Sequence, residues 1–113
     1  MIQIYHNPRC RKSREGLELL EQSGSDFEVI NYLKDTLSEE ALTTIVKKLG
    51  ISAEQLVRKN EPIWKEHYKG KTLSENEIIK AMALHPKLIE RPIVVNGSKA
   101  VIGRPKENIE GIL

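Results

Sequence analysis

Apolar and polar positions along the chain follow two periods, and the change from one to the other lays out the elements. Ile2-Gln3-Ile4-Tyr5 is a short run of strand formers that Asn7-Pro8 breaks. Lys12 to Ser23 suits a helix with Leu17 and Leu20 on one face, Leu19 off that face, and Gly24 as a stop signal. Phe27 to Tyr32 reads as a second strand. The middle of the chain is helical. Ser38 caps a segment whose Leu42, Ile45, Val46 and Leu49 recur at i, i+3, i+4 and i+7 before Gly50. Ser52 with Gln55, and Ser74 with Glu77, have capping-box spacing. An apolar residue precedes each of the three serines and another lies five positions later: Leu37 with Leu42, Ile51 with Leu56, Leu73 with Ile78. That is the spacing of a hydrophobic staple. Arg58 to Lys71, charged and carrying Pro62 and Gly70, predicts a loop with about one turn of helix at Trp64. After a helix ending near Leu84, Ile93-Val94-Val95 predicts a strand, Asn96-Gly97 a hairpin turn and Ala100-Val101-Ile102 the returning strand. Gly103-Arg104-Pro105 then opens a short last helix, with Pro105 suited to its first position.

Strand, helix, strand within so few residues predicts a parallel pair with a right-handed crossover. The whole order is a βαβ unit, a helical insertion over about 38–88, a β-hairpin and a helix. This is an α/β, thioredoxin-like (glutaredoxin-like) arrangement: a mixed four-stranded sheet, parallel in its first half and antiparallel in its second. A single domain over residues 1–113 is expected. With 39% hydrophobic and 30% charged residues the balance is globular. A formal charge of only +2 offers no global field for nucleic acid, so attraction for anions must be local. No apolar run reaches membrane-spanning length, which predicts a soluble, cytoplasmic protein with no membrane contact. A monomer is expected. The single cysteine excludes an intramolecular disulfide and a multi-cysteine metal centre, and neither a metal nor a bound cofactor is expected.

That cysteine, Cys10, falls where the first strand turns into the first helix, the position of the redox cysteine in thioredoxin-like folds. A thiol acts as a nucleophile when ionised, and helix starts and nearby cations favour the thiolate. The same unpaired N–H groups bind anions. Arg14, one turn on, can fold back toward this spot, while Arg9, Arg11 and Lys12 add a more diffuse positive field. Ser13 stands where a Cys-x-x-Cys pair would have its second sulfur. Its hydroxyl either bonds to the thiolate or sits in the first helical turn. His6 acts as a general base, tunes Cys10 through its charge, or holds the turn together. His67 and His85 suit surface or packing roles.

The segment Ile4-Tyr5-His6-Asn7-Pro8-Arg9-Cys10-x-x-Ser13-Arg14 resembles the active-site signature of the glutaredoxin-linked arsenate reductase family, ArsC. Three further stretches match in order: Leu56-Val57-Arg58-Lys59-Asn60-Glu61-Pro62, His85-Pro86-x-Leu88-Ile89-x-Arg91-Pro92-Ile93-Val94, and Gly103-Arg104-Pro105. The resemblance covers essentially the whole chain. It implies that Cys10 attacks arsenate and that Arg58, Arg91 and Arg104 bind the oxyanion, with His6, Asn7, Ser13, Arg14 and Pro92 in support. Guanidinium forks do match tetrahedral oxyanions. The resemblance also implies a cis Arg91-Pro92 bond beside the cysteine. The chain departs from the family pattern at Arg11-Lys12, where many members carry a small residue first.

The implied substrates are arsenate or a similar oxyanion and glutathione, and the implied protein partner is glutaredoxin. With one cysteine in the sequence, the resolving thiol comes from outside the chain. Two other readings belong to the same superfamily or fold. One is an Spx-like regulator that contacts RNA polymerase α, although Ser13 removes the second cysteine of its disulfide switch. The other is a monothiol glutathione-dependent oxidoreductase.

Overall fold

The computed structural model describes all 113 residues. They divide into two compact units, one made of Met1–Asp35 with Arg91–Leu113, the other of Thr36–Glu90.

The first unit holds the sheet. Strand β1 (Ile2–Tyr5) lies between β2 (Phe27–Ile30), to which it is parallel, and β3 (Ile93–Asn96), to which it is antiparallel. Strand β4 (Lys99–Ile102) pairs antiparallel with β3 and completes the order β2-β1-β3-β4. This is the mixed, thioredoxin-like sheet that the sequence predicts. Helix α1 (Arg11–Ser23) crosses from β1 to β2 and ends at Gly24, whose φ of 75° is the left-handed cap that favours glycine. Ile2, Ile4, Leu20, Val94 and Ile109 form one buried cluster, joined by Leu17, Leu19, Phe27, Val101 and Ile112. Fully burying a side chain of this size contributes about 1.5–3 kcal/mol. Leu19 thus serves this core, although helical spacing takes it off the Leu17–Leu20 face.

Three local expectations for this unit need correction. β2 stops at Ile30, short of Tyr32, because Asn31 closes a turn: its Oδ1 accepts the Leu33 N–H at 3.1 Å and its carbonyl accepts those of Lys34 and Asp35. The hairpin loop is Gly97-Ser98, one residue later than Asn96-Gly97, because Asn96 pairs with Lys99. Gly97 alone has positive φ (62°), the pattern of a type II′ turn. Asn96 instead donates through Nδ2 to the Ile112 carbonyl. The final helix is a 3-10 helix, Lys106–Ile112, and Pro105 precedes it rather than opening it.

The second unit is helical: α2 (Glu39–Leu49), α3 (Ala53–Leu56), α4 (Pro62–His67) and α5 (Glu75–Leu84), followed by a 3-10 turn at Pro86–Leu88. Ser38 Oγ accepts the Ala41 N–H and Ser74 Oγ the Glu77 N–H. Gln55 and Glu77 reach back to the N–H groups of Ser52 and Ser74. Helix α5 packs against α2, α3 and the 3-10 turn. Leu42, Ile45, Val46, Leu56, Ile78, Ile79, Met82 and Leu88 are buried there. None of the helices in either unit is long and apolar enough to cross a membrane.

Candidate active site

The loop that carries Cys10 is built by hydrogen bonds its own sequence supplies. The His6 N–H donates to the Ile30 carbonyl at 2.8 Å, extending the parallel ladder by one residue. Asn7 then makes the turn: its Oδ1 accepts the Arg9 N–H at 3.0 Å and its carbonyl the Cys10 N–H at 3.0 Å. One turn into α1, Ser13 Oγ accepts the Asn7 N–H at 2.9 Å and lies 2.7 Å from His6 Nδ1. His6 and Ser13 are both buried. The Ser13 hydroxyl therefore ties the loop to the helix and does not serve the sulfur.

Cys10 is the N-cap of α1, with extended backbone (φ −95°, ψ 123°) and 8% exposure. Burial pushes its thiol up. A hydrogen bond from the Arg91 guanidinium, the Ser13 backbone N–H, the Arg91 charge and Arg104 outweigh burial and hold the thiol below its ordinary value. The sulfur forms no regular cap hydrogen bond, and the Ser13 N–H together with the field of the helix start favours its ionised form. Arg104 Nη2 stands 3.6 Å from Cys10 Sγ, and its Nε donates to the Arg91 carbonyl at 2.9 Å. One guanidinium thus spans the sulfur and the backbone of the second arginine.

Pro92 fixes that backbone. The Arg91-Pro92 peptide is cis, as the resemblance implies, and Arg104-Pro105 is cis as well. A Cβ placed on Gly16 or on Gly103 would come within 2.9 Å of Pro92 Cγ, closer than packing tolerates. The two glycines leave the room in which Pro92 sits. An isolated glycine inside a helical pattern is the signal that could have marked Gly16.

The charged neighbours of Cys10 take other partners. Arg14 does fold back, but its Nη1 donates to the Pro8 carbonyl at 3.3 Å. Its charge bears on His6, whose pKa lies below the ordinary value because of burial first, with Arg14 adding to the shift and Ser13 opposing it. A histidine held neutral this way is not a cation for the thiolate. Arg11 and Lys12 both lean on Glu15, at 3.3 and 3.8 Å. The diffuse positive field expected at the turn is in part cancelled one helical turn on.

Arg58 lies in the helical unit, just after α3. Its N–H donates to the Leu88 carbonyl at 2.7 Å, and its side chain stands 3.6 Å from Glu61 and 3.7 Å from Glu90. The structure brings Cys10, Arg91 and Arg104 together. The part of Arg58 rests on the resemblance.

A model of the ArsC family matches residues 5–112. The chain is 47% identical over 110 residues to the Escherichia coli K12 protein named "Uncharacterized protein YfgD", covering 96% of this chain and 92% of that one. It is 46% identical over 112 residues to the protein of Haemophilus influenzae named "Arsenate reductase", covering 97% of each. The solved structure titled "Arsenate reductase from Vibrio cholerae" superposes with a TM-score of 0.95 at 46% identity, over 99% of this chain and 97% of that one.

Proposed function

Because the chain belongs to the ArsC family, we propose that it is a cytoplasmic arsenate reductase that works through a Cys10 adduct, with glutathione and glutaredoxin as outside thiols. The observation that carries this reading is the group around the sulfur: Arg104 Nη2 at 3.6 Å, Arg91 bonded to the same atom, and a thiol held below its ordinary pKa. A thiolate beside two guanidinium forks at a helix start has both a nucleophile and donors for the charge that develops on attack.

Each step balances. The Cys10 thiolate forms an S–As bond, and one arsenate oxygen leaves as hydroxide or water. Arg91 and Arg104 hold the remaining oxygens; a part for Arg58 rests on the family resemblance alone. A glutathione thiolate then replaces a second oxygen of the adduct. The arsenic takes the electron pair of one S–As bond as the two sulfurs join, which leaves As(III) and a mixed disulfide of Cys10 with glutathione. No other sulfur in the sequence can release Cys10, so glutaredoxin and further glutathione clear it.

The test is a coupled assay of the purified protein with arsenate, glutathione, glutaredoxin, glutathione reductase and NADPH. Arsenate-dependent NADPH oxidation that Cys10→Ser abolishes is the expected result. A wild-type rate no greater than that of Cys10→Ser would sink the proposal. The monothiol alternative has its own readout, turnover of a glutathionylated peptide without arsenate.

A further inference from the structure

Arg104 is held at both ends of its side chain. At the tip, Nη2 stands 3.6 Å from Cys10 Sγ, and Nε donates to the Arg91 carbonyl at 2.9 Å. At the root, its backbone belongs to the short loop between β4 and the last 3-10 helix. One side chain of that helix ties the loop. Asn108 Nδ2 donates to the Ile102 carbonyl and to the Arg104 carbonyl, each at 3.2 Å. The Asn108 N–H donates to the Pro105 carbonyl at 3.0 Å. A side-chain amide nitrogen has two N–H donors, and both are used here. Because both partners are carbonyl oxygens, only the nitrogen of the amide can face them. The two carbonyls bracket Gly103-Arg104, and glycine leaves that stretch of backbone its widest choice of conformations. The residue after Asn108, Ile109, is buried in the core of the sheet unit, which anchors the helix that carries the tie. Sulfur, arginines and asparagine all belong to that one unit.

We propose that Asn108 is a positioning residue: by holding the loop at Ile102 and Arg104, it keeps the Arg104 guanidinium in place against Cys10 Sγ. It lies outside the motifs that carry the family resemblance. The proposal deepens the reductase reading and rests on it for its chemistry, while the placement itself is read out at Cys10. An arginine side chain has many rotamers, and each tie at its root or tip narrows the space that Nη2 samples. A donor already in place at the sulfur needs no reorganisation when charge develops there. Loosening the root leaves the fork and its charge on the chain, so the loss is smaller than that from removing the fork.

The experiment compares wild type, Asn108→Leu, Asn108→Gln, Arg104→Ala and the Asn108→Leu, Arg104→Ala double variant. Leucine is similar in size and has no donor. Glutamine keeps the donors on a stem one methylene longer. Asn108 is exposed, so neither change opens a cavity, and thermal melts check folding. Alkylation of Cys10, the only thiol, by iodoacetamide is followed against pH. Its pH midpoint is expected to rise by about half a unit in Asn108→Leu, by more in Arg104→Ala, and by less in Asn108→Gln than in Asn108→Leu. The limiting rate at high pH stays within about twofold of wild type in both Asn108 variants, because the thiolate once formed is equally accessible. In the double variant the midpoint equals that of Arg104→Ala, since no guanidinium is left to position. Arsenate kcat/KM falls about three- to tenfold in Asn108→Leu. A midpoint in Asn108→Leu equal to that of wild type, a glutamine variant shifted as far as the leucine one, or a further rise on top of Arg104→Ala overturns the proposal. A wild type that does not turn over arsenate sinks the reductase reading, and the alkylation midpoints still decide whether Asn108 places Arg104.

Discussion

Four of the five α-helices of this protein begin in two contrasting ways. α2 and α5 start at Ser38 and Ser74, whose hydroxyls accept N–H groups of the first turn, and α3 starts at Ser52, tied by Gln55. α1 starts at Cys10, whose sulfur closes no such bond. A serine cap stabilises a helix start by about 1 kcal/mol relative to alanine. At α1 the site where that contribution would be made holds a reactive atom instead, with Arg91 and Arg104 against it. Three helix starts of the helical unit are closed by serine and its partners, whereas the helix start of the sheet unit is left to a sulfur with two guanidinium groups against it.

Cys10→Ser sharpens the contrast most. Turnover should fall by at least about a thousandfold, since no other group can take the nucleophile's part. Stability should move differently. Because the folded thiol has a lowered pKa, its thiolate contribution is present at high pH and disappears as pH falls through the folded pKa. Wild type should gain on the serine variant as pH rises toward the ordinary thiol pKa and lose that gain as pH falls. A stability difference that stays the same at every pH would mean that the sulfur was a structural cap after all.

Arg91→Lys and Arg104→Lys come next. Lysine keeps the charge and loses the fork. A loss of about a hundredfold in kcat/KM is expected for either, as for a removed oxyanion donor. The pH midpoint of Cys10 alkylation should rise toward the ordinary thiol value. Unchanged midpoints in both variants would leave the helix start alone to account for the ionised sulfur.

Smaller effects belong to the packing and the caps. Gly103→Ala would place a Cβ 2.9 Å from Pro92 Cγ and 3.0 Å from Ile109 Cδ1. Overpacking of this kind costs about 1–3 kcal/mol. Gly16→Ala meets the same Pro92 atom, but a helical glycine also gains up to about 1 kcal/mol on becoming alanine, so its net loss in a urea melt should be smaller. Equal losses would show that Pro92 yields. Ser38→Ala and Ser74→Ala should cost about 1 kcal/mol each with turnover unchanged.

The same contrast explains what could be read from the sequence. Serine caps, staples and the Gly24 and Gly50 stops act within about five residues, so their partners are visible in the string. The cysteine at a strand-to-helix turn was visible for the same reason. The approach of Arg104 to Cys10 spans 94 positions, and only matching motifs along the chain pointed to it. Short-range readings stayed open where a residue has several possible partners. The Ser13 hydroxyl turned to His6 and Asn7, Arg14 to Pro8, and Glu15 drew off Arg11 and Lys12. The Asn31 side chain, by closing its own turn, cut a strand short by two positions.

The smallest expected effect concerns what holds α1 in place of a serine cap. Ser13 lies three residues inside the helix, and its hydroxyl joins the Asn7 N–H to His6 Nδ1. This tie titrates, whereas the serine caps do not. His6 is 6% exposed, and burial holds its pKa below the ordinary value, with the Arg14 charge in the same direction and Ser13 against. Above the unfolded pKa of about 6.5 both folded and unfolded chains carry a neutral His6, and its contribution to stability is intact. As pH falls below that value the unfolded chain takes a proton that the folded chain refuses. Stability then drops with pH until the folded pKa is passed, with a slope of at most about 1.4 kcal/mol per pH unit. Urea melts at pH 5, 6 and 7 should show this slope in wild type and a shallower one in His6→Asn. Parallel curves would mean that protonated His6 is accommodated, and that α1 is tied to its loop by Ser13 and Asn7 alone.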